Sequence, residues 1–328
     1  MTEPMEAGDP LPEGERDTDT VAGALDGLRR ELRLRLGAAE AAVSERVASV
    51  DVFELFEKLR RAAGTLGMEE RSGEVDEFGL DPVACARARS VLEWLCERWW
   101  RVETTGLAEL PRDEPVLFVA NHSGLLPYDG LVIAHVVERE TGRRPRFLVA
   151  DWLVTLPFAQ PWLARVGGVR ACRENAHRLL HRGHPVIAFP EGAKGATKVF
   201  ADRYRLQRFG RGGVVRVAIE AGVPLVPVSV VGAEEAHPIL FKMHTAARAV
   251  GLPFLPVTPT FPWLGPAGLV PLPSKWRIRF GAPIATDRLG ASAAGDEVLI
   301  SRMTEDLRSE IQSMLDAERR TRDGVFGA

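Results

Sequence analysis

The sequence predicts an α/β fold, a mixed β-sheet covered by helices, preceded by an N-terminal helical region. Three observations carry this. From residue 115 onward, short runs rich in β-branched and aromatic residues alternate with longer runs of helical spacing, the pattern of a sheet with helices on its faces. The front third of the chain reads as amphipathic helices alone. The composition, 45% hydrophobic and 27% charged over 328 residues, suits a globular chain long enough to bury a full core. It excludes wholesale disorder, a collagen-like fibre and a polytopic membrane protein.

Residues 1–20 carry seven acids against one base, Arg16, together with Pro4, Pro10 and Pro12, and read as a disordered acidic tail rather than a targeting peptide. Residues 21–100 form the helical region. Leu25, Leu28, Leu32, Leu36 and Val43 recur at helical spacing over 21–49, and a second run over 51–64 stops at Gly64. Pro82 opens a third helix that the pattern carries to Trp100. The α/β domain spans 101–290, with strands predicted at 115–120, 146–150, 185–189, 224–230 and 276–281 and helices at 129–139, 152–165, 174–183 and 212–221. The last segment, 291–328, holds a helix over 295–318 and a tail that frays from Arg319.

Charge and apolar patterning narrow the partners. Residues 143–216 hold fifteen Lys and Arg against four acids, a surplus that suits phosphates, a lipid surface or nucleic acid. No nucleic-acid recognition motif accompanies it. Cys85, Cys96 and Cys172 are too few and too scattered for a disulfide framework or a zinc cluster, which fits a reducing, cytoplasmic setting. Ala249 to Ser274 is free of charge and long enough to span a bilayer as a helix, yet its seven prolines forbid a continuous one. Trp152 and Trp162, in the apolar run WLVTLPFAQPWLA, and Phe261 and Trp263, in the proline-rich run, suit contact with a membrane interface or an acyl chain.

Three motifs carry chemistry, and two of them follow strand ends, where open α/β sheets place their chemistry. In ANHSGLLPYDG (120–130), a neutral imidazole at His122 can accept a proton from an attacking hydroxyl, and Asp129, at a plausible helix N-cap, can fix its tautomer. In FPEGAKG (189–195), Gly192 and Gly195 allow tight turns and close backbone approach, and Glu191 and Lys194 supply opposite charges. In GGVRACRENA (167–176), Arg173 stands just before a helix start, where a guanidinium and a helix N-terminus can share a phosphate. His177, His181 and His184 lie at helical spacing and read as a solvated face rather than a metal site. There is no G-x-S-x-G elbow.

His122…Asp129, GGVRACR, FPEGAKG and VPLVPVSVVG (223–232), in that order, resemble the four blocks of the glycerolipid acyltransferase family over about residues 100–285. The resemblance implies transfer of a fatty acyl group from acyl-CoA or acyl-carrier protein to a hydroxyl of lysophosphatidate, glycerol-3-phosphate or a mono- or diacylglycerol. It implies no cofactor and no metal. His122 matches the catalytic histidine. Arg173, Glu191, Gly192 and Lys194 match positions of the second and third blocks, where Arg173 and Lys194 would grip a phosphate and Glu191 would shape the acceptor pocket. Backbone N–H groups of the 122–126 loop would hold the oxyanion. The enzyme would be peripheral or monotopic at the cytoplasmic face of a membrane. Two departures stand out. Lys194 replaces the usual arginine, and the position four residues beyond His122 that usually precedes the aspartate leads to Pro127, with the carboxylate arriving only at Asp129. A bulge over Gly124–Pro127 would restore the pairing. A non-catalytic lipid-binding or transfer protein on the same fold is the alternative that this spacing favours.

Overall fold

The central strand β2 (Leu117–Ala120) is a continuous apolar run with every residue buried, as expected of a strand covered on both faces. Around it, in this computed structural model, stand β1 (Glu103–Thr105), β3 (Arg146–Val149), β4 (Gly168–Arg170), β5 (Val186–Ala188), β6 (Leu225–Val231) and β7 (Arg277–Phe280), in the order β1-β7-β6-β2-β5-β3-β4. The five strands from β6 to β4 are mutually parallel, β7 runs antiparallel to β6, and β1 is parallel to β7. The sheet is therefore mixed and dominated by parallel pairs. The structure describes residues 74–124, 126–154, 159–243, 247, 254–322 and 324–325. The tail at 1–20 and the helices expected over 21–49 and 51–64 lie outside the described residues.

The helices are α1 (Pro82–Trp94), α2 (Tyr128–Thr141), α3 (Asp151–Val154), α4 (Ala159–Arg165), α5 (Arg173–His181), α6 (Gly192–Ala196), α7 (Gly213–Ala221), α8 (Ala233–Ala236) and α9 (Glu297–Arg320). The starts of α1 and α9 follow from their caps: Asp81 accepts from the Val83 N–H ahead of Pro82, and Asp296 accepts from the Val298 and Leu299 N–H groups. α2 ends where Gly142 adopts φ 72°. Alternation along β2 divides the core. Phe118 and Ala120 join Ile133, Phe147, Trp100 and Trp276 on one face, while Leu117 and Val119 join Leu179, Ile219, Ile311 and Leu315 on the other. Each fully buried leucine or phenylalanine contributes roughly 1.5–3 kcal/mol. Trp100 stacks on Trp276 at 4.4 Å between ring centres, which fastens the end of the front helix to β7. The described residues of 74–242 and 255–325 form one compact unit, which contains the whole sheet together with α1 and α9.

All five predicted strands are present. The two strands of this sheet that were not predicted, β1 and β4, sit at its two edges and are three residues long; the short strands Phe241–Met243 and Leu255–Val257 of a separate two-stranded sheet were not predicted either. Edge strands that short leave no readable alternation. The third helix remains α-helical only to Trp94 and continues as a π-turn over Leu95–Trp99. The run expected as one helix over 152–165 is described as α3 and α4, on either side of residues 155–158, which include Pro157. No helix among the described residues is long and apolar enough to cross a membrane.

Candidate active site

Because β2, β5 and β6 run in parallel, the segments after them emerge at one edge of the sheet. His122 follows β2, Phe189–Glu191 follow β5, and Gly232–Glu235 follow β6. The loop between β2 and α2 turns at Gly124, whose φ of +87° is in the left-handed region that glycine tolerates. This turn returns Asp129 to the imidazole. His122 Nδ1–H donates to Asp129 Oδ2 at 2.7 Å, and the Asp129 side chain is fully buried. Asp129 is not the cap of α2, as its sequence position suggested. The helix already begins at Tyr128, and the carboxylate accepts instead from the Ser123 N–H at 3.0 Å and the Gly130 N–H at 2.8 Å. These donors orient the carboxylate toward the ring rather than along the helix.

The backbone of His122 is held as firmly as its ring. Its N–H donates to Glu191 Oε1 at 2.9 Å, while the Gln207 N–H donates to Glu191 Oε2 at 2.7 Å. Lys198 Nζ lies 3.3 Å from the same carboxylate and 2.9 Å from Glu234. Glu234 in turn accepts from the Tyr204 N–H at 2.9 Å, and Tyr204 Oη accepts from the Gly232 N–H at 2.9 Å. Burial pushes the Glu234 carboxyl upward, and Lys198 opposes that shift. On the other side, Asn121 donates to the Val230 carbonyl and accepts from the Val230 N–H, pinning the end of β2 to β6. The imidazole stacks on Phe189 at 4.5 Å. Gly195 leaves the room this needs: a Cβ there would lie 2.5 Å from Glu191 Cβ and 3.1 Å from His122 Cβ. Gly192 opens α6 with φ +57°.

With Nδ1 committed to Asp129, Nε2 is the nitrogen left for chemistry. His122 lines a cavity of about 260 Å³ whose walls include Leu117, Leu148, Phe189, Val214 and Val217, with Gly192, Cys172 and Arg173 also on its surface. An imidazole backed by a buried carboxylate at an apolar cavity can accept a proton from a hydroxyl brought to it.

The remaining predicted residues are distributed as follows. Arg173 lines the cavity, but it is the first residue of α5 rather than a residue ahead of it, and its guanidinium is engaged by Glu220: Nε lies 3.2 Å from Oε2 and Nη2 donates to Oε1. The anion it meets is a carboxylate of its own chain. Glu191 does not line the cavity: its side chain is wholly buried and both oxygens serve the loop contacts above. It is a clamp on His122. Lys194 is exposed on α6 and does not line the cavity. The His122 and Ser123 N–H groups are spent on Glu191 and Asp129, so neither is available to an oxyanion. Ser123 takes part through its backbone rather than its hydroxyl. Trp162 is half exposed and lines a second cavity, with α1 and α2, that does not include His122. Trp263 is exposed and Phe261 half-buried on the proline-rich loop. The side chain of Trp152 lies outside the described residues. Lys198, Gln207, Tyr204 and Glu220 escaped sequence reasoning. Glu234 lies two residues beyond the last of the four blocks, VPLVPVSVVG.

A family model described as acyltransferase matches residues 101–231, the segment that contains β1 to β6, the His122–Asp129 pair, Arg173, Glu191 and Lys198. An uncharacterised protein of Mycobacterium tuberculosis is 46% identical over 244 residues, 74% of this chain and 68% of that one. The chain belongs to the glycerolipid acyltransferase family. It is an acyltransferase, an enzyme of lipid metabolism whose class joins an acyl donor to a glycerolipid acceptor. A human protein named as a DGAT1/2-independent enzyme synthesizing storage lipids is 23% identical over 237 residues, 70% of this acyltransferase and 65% of the human chain. The crystal structure of the 1-acyl-sn-glycerophosphate acyltransferase PlsC from Thermotoga maritima aligns over 90% of this chain and 99% of that one, with 17% identity and a TM-score of 0.49.

Proposed function

We propose that this acyltransferase moves a fatty acyl group from the thioester of acyl-CoA or acyl-carrier protein to a hydroxyl of a glycerolipid, with His122 as general base. Nε2 takes the hydroxyl proton as the oxygen attacks the thioester carbonyl. The tetrahedral intermediate collapses by breaking the C–S bond, and the imidazolium returns its proton to the departing thiolate. Asp129 holds Nδ1–H and stabilises the imidazolium that forms between the two steps. The thioester is already activated, so an acyl-enzyme is not needed. The observation that carries the reading is the 2.7 Å contact between His122 and the buried Asp129 at the wall of an apolar cavity. It removes the support that the long spacing lent to a non-catalytic lipid carrier.

The same reading puts the enzyme at a membrane surface. Trp263, Leu264 and Val270 are each more than half exposed on a loop without a charged residue from 254 to 274, as side chains that enter an interface are. The direct test is acyl-CoA turnover by the purified protein on monoacylglycerol, lysophosphatidate and glycerol-3-phosphate, with products identified by mass spectrometry. His122→Ala and Asp129→Asn are each expected to lower kcat by about 10²–10⁴ without loss of fold. Full turnover in His122→Ala removes the imidazole from the mechanism.

A further inference from the structure

The rim of the cavity carries a second message, about the acceptor. An anion arriving beside His122 has one permanent cation to meet among the described residues of the cavity lining, Arg173. Its fork of donors is turned to Glu220 on α7, through Nε at 3.2 Å and through Nη2, in the paired geometry that a phosphate would otherwise use. The start of α5, another feature that would receive a phosphate, is occupied as well, whereas the start of α7 at Gly213, which also lines the cavity, has no acid in its first turn. Glu174 sits in its first turn, and the backbone N–H there and the Cys172 thiol hold its carboxyl below the usual range. Two carboxylates thus stand where two phosphate-binding features would be. A dianionic headgroup would have to displace one and endure repulsion from both. Lys194 brings no compensating charge, since it lies outside the cavity. Apart from His122, Cys172 and the backbone of Gly192 and Gly213, the other walls are aliphatic or aromatic.

We infer that Glu220 is a specificity-determining residue, which by capping Arg173 makes this acyltransferase select an uncharged acylglycerol over an acceptor that bears a phosphate. This rests on the acyl-transfer reading above. Because Arg173 is more than half exposed, the cap is an exchangeable one, and its effect is of the size of a surface ion pair, about fivefold in affinity, with like-charge repulsion adding to it.

The test compares kcat/KM for a monoacylglycerol and a lysophosphatidate of the same acyl chain in mixed micelles, with one acyl-CoA as donor throughout, so that phosphates of the donor affect both arms alike. The wild type is expected to favour the monoacylglycerol. Glu220→Gln is expected to raise the lysophosphatidate-to-monoacylglycerol ratio about fivefold or more, through a lower KM for lysophosphatidate. Adding Arg173→Gln to that variant should abolish the gain. A wild type that prefers lysophosphatidate, an unchanged ratio in Glu220→Gln, or a gain that survives Arg173→Gln overturns the inference. If neither these acceptors nor glycerol-3-phosphate is acylated from acyl-CoA or acyl-carrier protein, the acyl-transfer reading fails on its own. Calorimetric titration with glycerol-3-phosphate then decides the cap: tighter binding to Glu220→Gln than to the wild type is expected, and equal affinity overturns it.

Discussion

The two ends of the His122 cavity are built on opposite principles. At the inner end, Asn121, Asp129, Glu191, Lys198 and Glu234 come from four segments, are all buried or nearly so, and hold His122, Val230 or one another through bonds of 2.7–3.3 Å. At the rim, one exposed arginine meets one carboxylate. In the interior a polar group left unpaired costs its full desolvation, so such a network locks a single geometry. At the surface, water replaces a lost partner and the pair contributes little. A base has to be placed to within a fraction of an ångström, while an acceptor filter has only to bias a choice. The protein has put its buried charges where position matters and its exchangeable pair where selection matters.

Lys198→Met strains that contrast most. The substitution leaves Glu191 and Glu234 buried without their shared cation, and a broken buried pair costs about 3–5 kcal/mol. Urea unfolding should show a loss of that order, with the turnover of the folded fraction reduced as well, since Glu191 anchors the His122 N–H. Glu220→Gln at the rim should change stability by less than about 1 kcal/mol. Comparable losses from the two variants would erase the distinction between the two ends.

Gly195→Ala probes the same interior by crowding rather than by charge. The added Cβ meets Glu191 and His122 closer than van der Waals distance permits, and neither neighbour is the loose end of a side chain. Overpacking of this kind costs about 1–3 kcal/mol. A displaced imidazole should lower kcat by about tenfold or more, with a smaller change in KM. Wild-type kcat in this variant would mean that the loop tolerates movement and that the network is not what positions the base.

The legibility of these features tracks how locally each is specified. β2, β5 and β6 announce themselves as unbroken apolar runs because both of their faces are covered, whereas β1 and β4 at the edges leave no pattern. The His122 motif stands out as a polar cluster after a strand, but its partnership with Asp129 depends on the backbone turn at Gly124, which residue types alone leave open. Lys198 and Glu220 were invisible for another reason. Each acts on a residue from a different element, Lys198 on Glu234 thirty-six positions away and Glu220 on Arg173 forty-seven positions away, and no periodicity links such pairs. Glu191 was found without its partners, because a motif position says that a carboxylate is present and not which way it points.

The smallest effect concerns histidines that the interior keeps neutral. His237 lies at the end of α8, stacked parallel on Tyr128 at 5.8 Å, and its Nε2–H donates to the Leu269 carbonyl at 2.7 Å. Tyr128 directly precedes Asp129, so this stack links the proline-rich loop to the first turn of α2. Burial holds the His237 imidazolium form down, with the Leu269 carbonyl opposing only in part, and burial also lowers the pKa of His135 and His184. All three shifts have the same sign. The unfolded chain takes up these protons near pH 6.5, while the folded chain does so only at lower pH. Between those points the unfolded state holds more protons, so stability is fully present above about pH 6.5 and is lost as the pH falls. The melting temperature is therefore expected to be flat from about pH 8 to 7 and to decline below about 6.5. His237→Phe should flatten part of that decline while removing the bond to Leu269, at a cost of about 1 kcal/mol at neutral pH. A melting temperature that rises on acidification through this range would show that the histidines are not kept neutral.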